Sequence, residues 1–188
     1  IKSIDPLFGK DNKVLDSSLP SEIELRPGQV NVVESLMVHI DEYLKINDDY
    51  LGQSLKLLIT GDIRSGKSIM AVHIAKLCNI NSISYLSNFD LIGDNDYTKN
   101  RKLKELFLKA TSTEKSVVIL DDIDNLMEVS DTKRGLIFNN GILQTLSSLW
   151  SKAIDNKIIF IMTAQSALLM QDIGLLELFH NHQQISGI

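Results

Sequence analysis

Hydrophobic residues along this chain follow two alternating rhythms, and their order predicts an α/β fold. Short runs at Leu57 to Thr60, Ile83 to Leu86, Val117 to Leu120 and Ile158 to Thr163 read as strands, with Val117 to Leu120 apolar at every position. Strands that are apolar at every position are buried on both faces, as in a parallel sheet. Between them the period lengthens to that of a helix. Val33, Met37, Ile40 and Leu44 fall at i, i+4, i+7 and i+11 and predict a helix from Gln29 to near Lys45. Met70, Ile74 and Leu77 form one stripe, with Ala71, Ala75 and Cys78 beside it. Leu103, Leu106, Phe107 and Ala110 face inward on a charged helix that opens after the polar turn Asp94 to Tyr97. A polar connection from Glu128 to Gly135 leads to a broad stripe of Ile142, Leu143, Leu146, Leu149, Trp150 and Ala153. A short helix through Leu168, Leu169 and Met170 precedes a last strand at Gln183-Gln184-Ile185. The expected architecture is a parallel five-stranded sheet between helices, joined by right-handed crossovers. All three prolines lie in residues 1–28, which reads as an irregular lead-in, leaving 29–188 as the α/β unit.

One junction of strand and helix carries chemistry. Gly61 to Ser68 fits G-x-x-x-x-G-K-[ST] in full, with an apolar strand before it and a helical pattern after it. In such a loop glycines let the backbone curl around a phosphate, the lysine neutralises it and the hydroxyl ligates Mg²⁺. The amides of Gly61, Asp62, Ile63, Arg64, Ser65, Gly66, Lys67, Ser68 and Ile69 are therefore the candidate nucleotide contacts, converging on a helix N-terminus. His73, alone on the helix behind, reads as solvated surface.

A second landmark is Val117-Val118-Ile119-Leu120-Asp121-Asp122. Its paired carboxylates end a buried strand, where open α/β sheets bind ligands. Without the loop upstream they would read as a helix cap for Ile123 to Met127. With it, Asp121 and Ser68 become the candidate Mg²⁺ residues and Asp122 the candidate base that polarises the attacking water. Hydrolysing enzymes of this class usually place a glutamate there. Aspartate is shorter by one methylene, and a general base must come within about 3 Å of its proton or reach it through one water, so chemistry should weaken while binding survives. At the end of the Ile158 to Thr163 strand, Gln165 is the second candidate catalytic residue, with Thr163 as its substitute.

Composition narrows the class. With 188 residues and 44% hydrophobic content, the chain supports one sizeable core. Its net charge of −5 and lack of a basic face argue against nucleic-acid binding, and the Lys99, Arg101, Lys102 and Lys104 cluster reads as a solvated face. The single cysteine, Cys78, cannot form an internal disulfide and reads as core. No apolar run reaches membrane-spanning length, so a cytoplasmic protein is expected. Lacking an initiator Met, the chain reads as an excerpt of something longer.

The loop, the Asp121-Asp122 strand end and the Thr163 to Ser166 strand end, at these separations, resemble the large subdomain of an AAA+ ATPase. The lead-in Ile4-Asp5-Pro6-Leu7-Phe8-Gly9, together with Leu91-Ile92-Gly93, Asn140 to Leu146 and Leu175 to Ile188, is similar to the second ATPase domain of the N-ethylmaleimide-sensitive factor type. That resemblance implies Mg²⁺ and ATP as cofactors, with bound nucleotide holding a homo-hexamer together. It also implies soluble attachment proteins and SNARE bundles as partners through other domains, peripheral recruitment to membranes, and adenine contacts around Ile23 to Leu25. The helical lid of the family lies outside these residues. Arginine fingers are expected near the last helix and strand, yet Gly174 to Gln184 contains no arginine or lysine, and Arg134 is the nearest upstream. Slow hydrolysis follows from that departure. Two other readings remain: the first ATPase domain of a peroxisome-biogenesis protein, which can carry a similar Asp-Asp ending, and a small P-loop kinase-like enzyme. The latter needs substrate arginines around the loop, where only Arg64 is placed.

Overall fold

A computed structural model describes residues 25–46, 54–152 and 156–185. The readings on residues 1–24 and on Ala153 lie outside them. The elements follow the expected order: α1 (Pro27–Lys45), β1 (Leu55–Gly61), α2 (Lys67–Leu77), β2 (Ile83–Ser87), α3 (Asp96–Thr111), β3 (Lys115–Asp121) and α4 (Ile123–Leu126). A short hairpin of β4 (Ser130–Thr132) and β5 (Gly135–Ile137) leads to α5 (Asn140–Trp150), β6 (Lys157–Ala164), α6 (Ala167–Asp172) and β7 (Asn181–Ile185). Five strands pair in the order β2-β3-β6-β1-β7, all parallel.

Side chains alternate across each strand, so the sheet feeds two cores. Leu57 and Ile59 join α1 and α2 on one face, while Leu58 points to the other, where α3, α5 and α6 pack. Trp150 is core as expected, meeting Phe160 and Phe179 edge-on at 6.0 and 6.1 Å between ring centroids. Cys78 is buried too, its thiol donating to the Ile74 carbonyl at 3.2 Å.

Four details differ from the sequence reading. The face of α1 is turned: Leu36 and Ile40 are fully buried with Val32, Val33 and Tyr43 beside them, whereas Met37 and Leu44 are only partly covered. Two strand-end contacts set that rotation. The Ile158 amide donates to the Tyr43 hydroxyl at 3.2 Å, and the Lys157 ammonium donates to the Leu44 and Ile46 carbonyls at 2.9 and 2.7 Å, a cation at a helix C-terminus. Leu77, predicted to lie in the apolar stripe of its helix, is 47% exposed. The connection after Glu128 is the β4–β5 hairpin, with Lys133 and Arg134 at its turn. Lys99 is buried and ion-paired with Glu128 across that connection, rather than solvated with its helical neighbours.

Candidate nucleotide site

The phosphate loop runs from the end of β1 into α2, and its backbone needs its glycines. Gly61 lies so close to β7 that a Cβ would stand 2.6 Å from the Ile185 carbonyl oxygen. Gly66 begins α2 at φ +91°, where a side chain would be strained, and no side chain caps the helix it opens. The first amides of α2 are therefore open to an anion. Gln29 braces the loop from α1: its amide group donates to the Ser65 carbonyl at 3.1 Å and its oxygen accepts from the Arg26 amide at 3.0 Å. The contact to Ser65 leaves no sequence signal, because that partner lies outside α1.

Lys67 is buried, and its ammonium donates to the Gly61 and Asp62 carbonyls at 2.8 and 2.9 Å. Two of three donors hold the loop, leaving a third for a ligand. Ser65 Oγ is buried without a hydrogen-bond partner among the described residues, an orphan in the floor of the cradle. Asp62, Ile63 and Arg64 form the exposed crest, Ser68 is half-buried in the first turn of α2, and Ile69 is exposed.

Opposite the loop, β3 ends in the acidic pair. Asp121 is buried, its Oδ1 accepting from the Thr163 hydroxyl at 2.6 Å and its Oδ2 from the Tyr85 hydroxyl at 2.7 Å. The Thr163 oxygen in turn accepts the Asp122 amide at 2.9 Å. Asp122 sits at φ 55°, ψ 55°, a left-handed conformation that aspartate tolerates better than most residues. Burial, and then the charges of Asp121 and Asp124, hold its carboxyl above the usual range, with Lys67 pulling the other way. Burial and the Asp121 carboxylate likewise keep the Tyr85 hydroxyl protonated. Gln165 does not bring its side chain to the aspartates: it is exposed, and its backbone amide donates to Asp124 Oδ2 at 3.0 Å. Thr163, the substitute in the sequence reading, is the residue that touches both acids.

This donor set fits a magnesium-bound polyphosphate. A carboxylate offers about four lone-pair directions, and Asp121 spends two on neighbouring hydroxyls. Among the described residues no group of three or more acidic, His or Cys side chains could cage an ion alone. Mg²⁺ typically keeps waters and phosphate oxygens and takes one or two protein carboxylates. A hollow of about 890 Å³ between α3 and α5, lined by Phe107, Leu108, Thr145 and Leu149, shares no residue with this site.

A glycine loop delivered by an interior parallel strand, a lysine in its mouth and an acid pair ending a nearby strand define a P-loop nucleotide-binding domain. The chain belongs to the AAA family, the ATPase family associated with various cellular activities, whose model matches residues 57–186. It is similar to a vesicle-fusing ATPase of Dictyostelium discoideum, 26% identical over 182 residues that cover 95% of this chain and 24% of that protein. A vesicle-fusing ATPase of Caenorhabditis elegans is 23% identical over 125 residues, 65% of this chain and 15% of that protein. The chain thus spans at most about a quarter of the length of these curated relatives. Among the described residues no helix is long and apolar enough to cross a membrane.

Proposed function

We propose that this chain is a Mg-ATP-binding AAA domain that holds a homo-hexameric ring together and hydrolyses its nucleotide slowly. On this reading it belongs to a cytoplasmic, peripherally recruited ATPase of the vesicle-fusing type, which engages attachment proteins and SNARE bundles through other domains. The observation that carries it is the pairing of an intact cradle, with Lys67 in its mouth and the start of α2 uncapped, with an acid pair whose second member is aspartate. Gly61 to Ile69 bind and orient the polyphosphate, and Lys67 neutralises it. Ser68 and Asp121 would hold magnesium, which would supply charge neutralisation to the polyphosphate. Asp122 takes a proton from the attacking water over a distance one methylene too long, while Gln165, at the end of β6, orients the γ-phosphate side.

The test is Lys67→Ala, followed by retention of radiolabelled ATP and by sedimentation. Loss of at least about a hundredfold in ATP affinity, together with loss of ATP-dependent assembly, is expected for a buried charge-assisted phosphate contact. Unchanged affinity and assembly would overturn the reading.

A further inference from the structure

The Asp121 carboxylate is held from both sides by hydroxyls on different strands, and this arrangement has no counterpart in the loop motif. β3 lies between β2 and β6 in the sheet. Thr163 is one residue beyond Met162, which pairs with Leu120, so it stands directly beside Asp121. Ser87 is the register partner of Asp121, and Tyr85 lies two residues earlier on the same face. A two-residue step along a strand is about 6.5 Å, which a tyrosine ring spans and a serine or threonine does not. The tyrosine hydroxyl arrives at 2.7 Å and the threonine hydroxyl at 2.6 Å, one on each carboxylate oxygen.

Neither donor is charged. Asp121 is 6% exposed, and the described ion pairs, Lys99 with Glu128, Arg101 with Glu105 and Lys102 with Asp94, do not include it. A buried carboxylate with neutral donors and no counter-ion is an expensive arrangement unless a cation completes it. Its remaining lone pairs are held by β2 and β6 in one fixed orientation. We infer that Tyr85 is a positioning residue that, with Thr163, clamps Asp121 in the orientation that receives the nucleotide's magnesium ion. The inference rests on the reading of the loop as a phosphate site. Partners behind a metal-binding side chain typically contribute about tenfold or more to ion affinity.

The experiment titrates Mn²⁺ into the ATP-loaded full chain, counting free ion by electron paramagnetic resonance, and measures ATP affinity in EDTA alongside. Tyr85→Phe is expected to weaken ion binding about tenfold while ATP affinity in EDTA stays within about twofold. Thr163→Val should do the same, and Thr163→Ser, which keeps the hydroxyl, should restore it. Wild-type ion affinity in Tyr85→Phe overturns the clamp, as does an equal loss with and without metal, which would mark a packing role only. Lys67→Ala separates the two levels of argument. If it abolishes ATP binding while Tyr85→Phe leaves the ion unaffected, the clamp alone fails. If Lys67→Ala retains ATP, the loop reading fails and the clamp with it.

Discussion

On the proposed function, Asp122 is the single residue that sets the balance between holding a nucleotide and cleaving it. Its backbone is fixed in the left-handed region by the Thr163 hydroxyl and by the first turn of α4, whose Leu126 amide donates to the Asp122 carbonyl at 2.9 Å. Lengthening the side chain is therefore a clean manipulation of reach. Asp122→Glu should raise the single-turnover hydrolysis rate by about tenfold, the lower part of the range a well-placed base contributes. The gain is limited because glutamate tolerates this backbone less well, at a cost of roughly 1 kcal/mol. Rapid-quench measurement of phosphate release decides it, and a rate no higher than that of the native chain would remove Asp122 from the role of base. Lys67, Asp121 and Asp122 were legible in the sequence because motif spacing along one chain segment encodes them. Tyr85 and Gln29 act across strands and helices, and no local pattern records their partners Asp121 and Ser65. Position at the strand end marks both Gln165 and Thr163, and the Thr163 hydroxyl is the one that meets Asp121 Oδ1 and the Asp122 amide.

At the level of elements, the strands were easier to read than the faces of the helices. Runs such as Ile158 to Thr163 are buried on both sides whatever the exact packing, so continuous apolarity identifies them. Lys157 and Lys56 are buried at strand starts and break that pattern, as Lys99 breaks the charged face of α3, because each is satisfied by atoms distant in sequence or by carbonyls. The edge strand β7 falls where Gln183-Gln184-Ile185 predicts it, but the histidine contacts beside it carry no local signal. His180 Nδ1 accepts the Lys56 amide at 3.0 Å and His182 Nε2 meets the Thr60 hydroxyl at 2.7 Å, so both imidazoles lie against β1. Burial lowers both pKa values below 6.5, and the Lys56 charge adds to the effect on His180. The fold thus favours neutral imidazole. Below pH 6.5 the unfolded chain binds protons that the folded chain resists, so this contribution to stability is present at neutral pH and is lost as pH falls through the folded values. Asp122, with its raised pKa, acts in the opposite sense, favouring the fold as its carboxyl becomes protonated. The melting temperature should therefore fall between about pH 7.5 and about pH 5.5. A His180→Asn, His182→Gln double variant should lose most of that slope, and an undiminished slope would assign the acid sensitivity elsewhere.

For the whole molecule, the question is what assembly adds to a site that already contains its cradle, lysine and acids. In rings where a neighbour supplies an arginine finger, the rate per site rises by about a thousandfold or more on assembly, because the cation meets charge that develops only in the transition state. Here the segment from Gly174 to Gln184, which includes the start of β7, holds no arginine or lysine. Arg134, the nearest upstream arginine, is exposed at the turn of the β4–β5 hairpin, before α5 and β6 in chain order. On the proposed function, ATP held by the loop of one chain supports assembly whether or not a partner stabilises its cleavage. Binding and turnover should accordingly separate with concentration. ATP dissociation should slow as the chain assembles, while the single-turnover rate per site should stay within about threefold from dilute to concentrated protein, without the gain a finger confers. Arg134→Ala should leave that rate unaltered as well. A steep rise in rate on assembly that Arg134→Ala abolishes would show that the hairpin carries the missing cation into the neighbouring site, and that slow hydrolysis is not built into this domain.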